Sequence, residues 1–185
     1  MLSLLTTVVL AGAAALAAPT AGVDNHNRCT SQSTKVTAWT VHDFDFHSSE
    51  MFTTPAHQNS WGYVNFTLSN PVVSYRPVCS AQSNQLSDFF YGNFIYNCDV
   101  PAGSGDKASF TFSRASSELK LNQTWNCPGE GSRFDARGGV ILNLTCTTTN
   151  WQNPDWKPGQ FYSSRNVDCH KVTVKAPIKE MSGVA

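Results

Sequence analysis

The chain has 185 residues, 41% hydrophobic and 14% charged, with 13 basic and 13 acidic side chains and no dense run of either sign. That balance gives no electrostatic footprint for a nucleic acid or an anionic membrane surface, so partners are expected to be recognised by shape and local chemistry. Beyond the first residues no stretch approaches the ~18 apolar residues of a membrane-spanning helix.

The opening run, MLSLLTTVVLAGAAALAA from Met1 to Ala18, decays from bulky apolar into small residues. It predicts a secretory signal over 1–17, with Ala15 and Ala17 at the small-residue positions before the cut, although only the chain's amino terminus supplies the usual positive charge. Removing 17 residues from 185 leaves 168, a single domain on size grounds. The expected layout is a signal peptide (1–17), an N-terminal extension (18–28), a β domain (29–177) and a loose tail (178–185). Secretion to the extracellular space follows from it.

Past the leader, short apolar stretches alternate with turn-formers. Val36–Val41, Tyr63–Leu68, Val72–Tyr75, Phe89–Tyr96, Ala108–Phe112, Leu119–Leu121 and Val140–Leu144 read as strands. Phe110 with Phe112, and Leu119 with Leu121, place apolar side chains on one face by alternation. Asp99–Asp106 and Pro128–Gly131 read as turns, and at most a short helical turn is expected near Ser83–Asp88. The fold class is therefore all-β, an antiparallel barrel or sandwich.

Six cysteines, Cys29, Cys79, Cys98, Cys127, Cys146 and Cys169, all follow the leader. An even count in an exported chain predicts three disulfides, and no Cys-x-x-Cys or Cys-x-x-His spacing suggests zinc. Sequons at Asn65, Asn122 and Asn143 mark candidate glycosylation sites.

The run His42-Asp-Phe-Asp-Phe-His47 invites a metal or acid-base reading, since imidazole and carboxylate are common ligands. On a regular strand, residues five apart point to opposite faces, so a solvated strand or loop edge is preferred, with no metal and no cofactor. No Gly-x-Ser-x-Gly nucleophile turn occurs, and His26 lies eight residues past Ala18, too far to be an amino-terminal copper ligand. Paired carboxylates remain open to a hydrolase reading, because separation in space defines them. The expectation is a protein without enzymatic activity.

Asn150–Tyr162 concentrates Trp151, Trp156, Phe161 and Tyr162 among two prolines and a glycine. These rings form either a stacking platform for a sugar, a flat ring or a protein, or a plug for a barrel end; both readings stay open.

Cys79-Ser-Ala-Gln82, Tyr96-Asn-Cys98, Phe110-Thr-Phe112 and Leu119-Lys-Leu-Asn-Gln123, with Trp39-x-Val-x-x-Phe44 upstream, resemble in order and spacing the Alternaria major allergen family of exported fungal proteins. The resemblance covers about Val36 to Val174. It implies an antiparallel β-barrel without a known catalytic centre, and disulfides Cys79–Cys98 and Cys146–Cys169. An amino-terminal cysteine can link two chains in this family, but Cys127 is additional to the pattern. A third internal bridge, Cys29–Cys127, and hence a monomer, is preferred over a dimer linked through Cys29. The implied role is a fungal effector or allergen-like binder of a host extracellular defence protein, such as a thaumatin-like one, or of a small phenolic ligand. A carbohydrate- or cell-wall-binding module using the Trp151–Tyr162 aromatics is the alternative, and a secreted hydrolase with an unrecognised site the second. The long stretch between Thr147 and Arg165 departs from the family pattern.

Overall fold

The computed structural model describes residues 28–84 and 89–184. The expected leader and residues 18–27 lie outside them, as does 85–88, where a helical turn was expected. The elements are α1 (Cys29–Ser33), β1 (Ala38–Thr54), β2 (His57–Ser69), β3 (Val78–Ser83), β4 (Tyr96–Asp99), β5 (Lys107–Ser113), β6 (Glu118–Cys127), β7 (Ser132–Ile141), β8 (Cys146–Gln152), β9 (Ser163–Cys169) and β10 (Val172–Val184).

Neighbouring strands pair in the order β10-β7-β6-β5-β4-β3-β2-β1-β9-β8, and β10 also pairs with β1. Eight strands thus close into an antiparallel barrel, while β9 and β8 hang from β1 outside the ring. Closure matters because it leaves no unpaired edge within the ring.

The interior follows from alternation. Trp39, Val41, Phe44, Val64, Leu68, Phe110, Phe112, Leu119 and Trp125 are fully buried, with Phe66 and Leu121 nearly so. Rings interlock across strands, Phe44 against Phe112 at 5.1 Å and Phe66 against Phe110 at 4.9 Å between centroids. Each such side chain contributes roughly 1.5–3 kcal/mol by leaving water. Buried polar groups sit among them: Gln123 accepts hydrogen bonds from the Trp39 indole (2.8 Å) and the Asn70 amide (3.0 Å), so these buried donors are satisfied.

Two expected strands are something else. Val72–Tyr75 is a bend, because Pro71 interrupts the run and the Asn70 side chain caps the Val72 amide at 3.1 Å. Phe89–Ile95 is irregular, and Phe89 and Phe90 are both buried, which two consecutive strand residues facing one interior cannot be. They plug one end of the barrel against Gly62, where a side chain's Cβ would stand 3.0 Å from Phe89. The expected loose tail also differs. Residues 178–184 continue β10 and pair with β7 from Ile178↔Gly138 to Val184↔Arg133.

β10 pairs with β1 through Val172–Pro177 and then with β7, turning a corner at Pro177. The close approach falls on Gly138, where an added Cβ would lie 2.1 Å from the Pro177 carbonyl oxygen. Only a residue without a side chain fits there.

Three disulfides tie this frame: Cys29–Cys127, Cys79–Cys98 and Cys146–Cys169. The second bridges directly paired residues of β3 and β4, which share only two register pairs, and the third bridges the paired ends of β8 and β9. The first anchors α1 against the end of β6. There Glu130 accepts the Cys29 and Thr30 amides at 2.8 and 3.1 Å, satisfying donors that a short helix leaves open. A hydrogen bond from the Thr30 side chain, with these two amide bonds behind it, holds the Glu130 carboxyl below its usual range against the opposing effect of burial.

Gly138→Ala is expected to lose about 2–3 kcal/mol, a fall of roughly 5–10 °C in melting temperature by calorimetry. Replacing Cys29 and Cys127 together by serine removes a bridge spanning 98 residues. On the chain-entropy model this costs about 4–5 kcal/mol, against about 3 for the Cys146–Cys169 pair, as denaturant titration of both variants will show.

Candidate binding surface

β1 makes the surface possible. Its register against β10 runs Val41↔Val174 and then Phe44↔Val172, and against β2 His42↔Thr67 and then Asp45↔Asn65. One extra residue is therefore inserted, with Asp43 left-handed at φ 53° and its amide bonded to the Thr173 hydroxyl at 3.1 Å. Aspartate tolerates that conformation better than most side chains. After the bulge β1 leaves β10 and pairs with β9 over His47–Phe52. The outer half of β1, the start of β2, β9 and β8 form an arm extending from the barrel.

The bulge also corrects the reading of the histidines. It shifts the alternation by one residue, so His42 and His47 both face outward rather than to opposite sides. His42 bonds the Ser69 hydroxyl at 2.9 Å, while His47 bridges Asp45 (2.8 Å) and Asp168 (2.7 Å) and stacks on Tyr63 at 4.9 Å. Among the described residues no group of three or more His, Cys, Asp or Glu is placed to hold a metal ion. Burial, with help from the Asp45 and Asp168 charges, holds the Tyr63 hydroxyl above its usual range.

Register places further outward rows beside this one. Trp61 lies opposite Ser49, which lies opposite Asn166 and then Thr149. Asn59, Met51, Ser164 and Trp151 form the next row. Trp61 and Trp151 are each half exposed and Met51 is exposed.

The four aromatics of Trp151–Tyr162 divide. Trp151 and Phe161 stand exposed, whereas Trp156 and Tyr162 are partly covered and meet edge to face at 5.8 Å. The connecting loop holds its own shape: the Trp156 indole donates to the Gln160 carbonyl at 2.8 Å, and the Tyr162 amide reaches back to Phe52 O at 2.8 Å. None of these rings plugs the barrel, a place taken by Phe89 and Phe90.

The arm's other face is charged. Glu50, one-twelfth exposed, pairs with Arg114 at 2.5 Å and more loosely with Arg165 at 3.8 Å. Arg114 lies over Phe89 at 4.5 Å and donates to the Tyr91 hydroxyl at 3.3 Å. Burial opposes its charge, but the bonds to Tyr91 and Glu50 outweigh that and leave it above its usual range. Phe46, Ser48, Tyr91, Arg114, Arg165 and Val167 line a cleft of about 420 Å³ here. Two guanidinium groups against one carboxylate leave the cleft net positive.

Sequence reading missed Glu50, Arg114, Arg165 and Trp61. The signal for Glu50 was the continuation of Phe44-x-Phe46 into Ser48-x-Glu50, polar residues on the inward parity, visible only once the bulge is known. The sequon asparagines lie away from the cleft. Asn65 and Asn122 are partly exposed on the barrel wall, with Asn65 accepting the Ser80 hydroxyl at 2.6 Å, and Asn143 is exposed between β7 and β8.

Glu50→Gln leaves Arg114 partly buried without its ionic partner and is expected to cost about 2 kcal/mol in urea denaturation. Adding Arg114→Met to that variant should restore part of the loss, whereas simple additivity would show that the two side chains are not coupled.

A family model described as Alternaria alternata allergen 1 matches residues 41–169, from within β1 to the end of β9. Comparison with curated proteins and with solved structures finds no match.

Proposed function

The chain belongs to the Alternaria alternata allergen 1 family, and from that premise we propose that it is an exported, non-enzymatic effector that binds a plant extracellular protein and modulates host immunity. Membership makes it an allergen-family protein; the binding role is the finer reading.

One observation carries it: Trp61, Met51 and Trp151 stand exposed on one face of the arm, four strands wide, on a backbone held by ladder hydrogen bonds. Large side chains on a rigid support lose little freedom on binding, which is why such residues anchor protein interfaces. The barrel's job is then to hold the arm still. A wall-polysaccharide reading draws on the same pair of half-exposed indoles, which also suit the flat faces of sugars.

The two readings separate in one experiment. The protein and its Trp61→Ala/Trp151→Ala variant are incubated with plant apoplastic fluid and, separately, with cell-wall polysaccharides. Retention of defined extracellular proteins by the wild type, cut at least tenfold in the variant, supports the proposal, since two interface anchors are worth about 2–4 kcal/mol. Retention of polysaccharide alone overturns it in favour of the second reading.

A further inference from the structure

The open end of the sheet goes further than the aromatics. β8 terminates the strand order and, among the described residues, pairs with β9 alone. All seven of its residues are exposed, and its register with β9 runs from Cys146 to Gln152 without a shift. Its sequence, Cys-Thr-Thr-Thr-Asn-Trp-Gln, contains no charge, proline or glycine. Proteins ordinarily blunt a free edge with lysine, proline, a bulge or a covering loop. β8 carries none of the first three, and threonine and tryptophan favour an extended neighbour.

We propose that β8 accepts an extended polypeptide segment as an added strand, and that the segment carries acidic side chains on the face turned toward the Arg165 cleft. A row of outward N–H and C=O groups about 23 Å long, seven residues at about 3.3 Å, is matched by another main chain. The charge preference comes from the inward row. Asn150 pairs with Arg165, which pairs with Glu50, and Thr148 pairs with Val167, which pairs with Ser48. A residue added opposite Asn150 or Thr148 points its side chain to this same face. Glu50 is already engaged by Arg114 at 2.5 Å, and Arg165, half exposed and 3.8 Å from that carboxylate, retains donors for a second one. On the opposite face, the alternate residues of the added strand meet Trp151 and Thr149. The recognised pattern is an acidic residue at every second position with apolar or aromatic residues between.

The inference rests on the reading of the protein as a binder of extracellular proteins, and names the mode and chemistry of that binding. The test is an NMR titration of the isotopically labelled protein with synthetic seven-residue peptides. One alternates threonine and glutamate, one alternates threonine and lysine, and two repeat the glutamate peptide with every second amide N-methylated, in either phase. The expected result is saturable shifts at the 146–152 amides, glutamate favoured over lysine about tenfold, and binding lost in one methylation phase only. Arg165→Glu, a substitution at a half-exposed position, inverts the charge preference. Equal binding of the two charge types, indifference to methylation, or absence of saturable shifts at β8 overturns the proposal. If the peptides fail while apoplastic proteins are still retained through Trp61 and Trp151, strand addition falls and the broader reading stands. If the peptides behave as expected and no apoplastic protein is retained, strand addition stands and the host-protein reading falls.

Discussion

A single inserted residue at Asp43 sets the course of the whole sheet. Up to Phe44, just past it, β1 pairs with β10 and closes the ring; from His47 on, β1 pairs with β9 and belongs to the arm. A strand of 17 residues could not curve around a small barrel along its full length, and the bulge gives it a place to twist away. Because Phe44 and Phe46 resume inward positions on the far side, the core stays continuous through the irregularity. The same shift turns Asp45 and His47 outward and Glu50 inward. The arm's two faces are thus a direct consequence of one left-handed residue.

Two covalent ties lie where a strand is least held, by pairing in one case and by burial in the other. β3 and β4 share two register pairs and β4 and β5 another two, so a ladder of that length would fray without help. The Cys79–Cys98 bridge sits on one of those pairs. At the arm, β8 has no buried side to hold it, and Cys146–Cys169 locks its first residue to β9. An arm that buries little apolar surface relies on such local restraint, since exposed strands gain almost nothing from the hydrophobic effect.

How far the fold could be read from sequence depended on what held each segment in place. Where burial holds it, alternation was legible: Phe110 with Phe112 and Leu119 with Leu121 lie inside, and the turns at Asp99–Asp106 and Pro128–Gly131 separate strands. Where main-chain pairing alone holds it, no pattern existed to read. Residues 178–184 are mostly exposed on both sides yet form a strand because β7 offers a partner. Phe89 and Phe90 misled in the other direction, being apolar enough for a strand but serving as a plug. The aromatic loop was visible as composition, whereas Trp61 and Met51 joined Trp151 only through the register of four strands. Glu50 and its arginines come from β1, the β5–β6 connection and β9, a meeting that no local window contains.

The division of labour between ring and arm follows from what each can leave unpaired. Inside the ring every strand has two neighbours, its interior is filled with aromatic rings, and Gln123 satisfies both the Trp39 and the Asn70 donors. Such a body offers stability and little else. The arm keeps one strand with an open outer edge among the described residues, two half-exposed indoles and a guanidinium with spare donors, each of which costs the free protein something in solubility or self-association. Features of that kind persist when another molecule completes them. Their gathering on one projection, supported by three short structural levers, is a physical reason to look for recognition at the arm rather than in the interior. The levers are the bulge at Asp43, the bridge at Cys146–Cys169 and the Glu50–Arg114 pair.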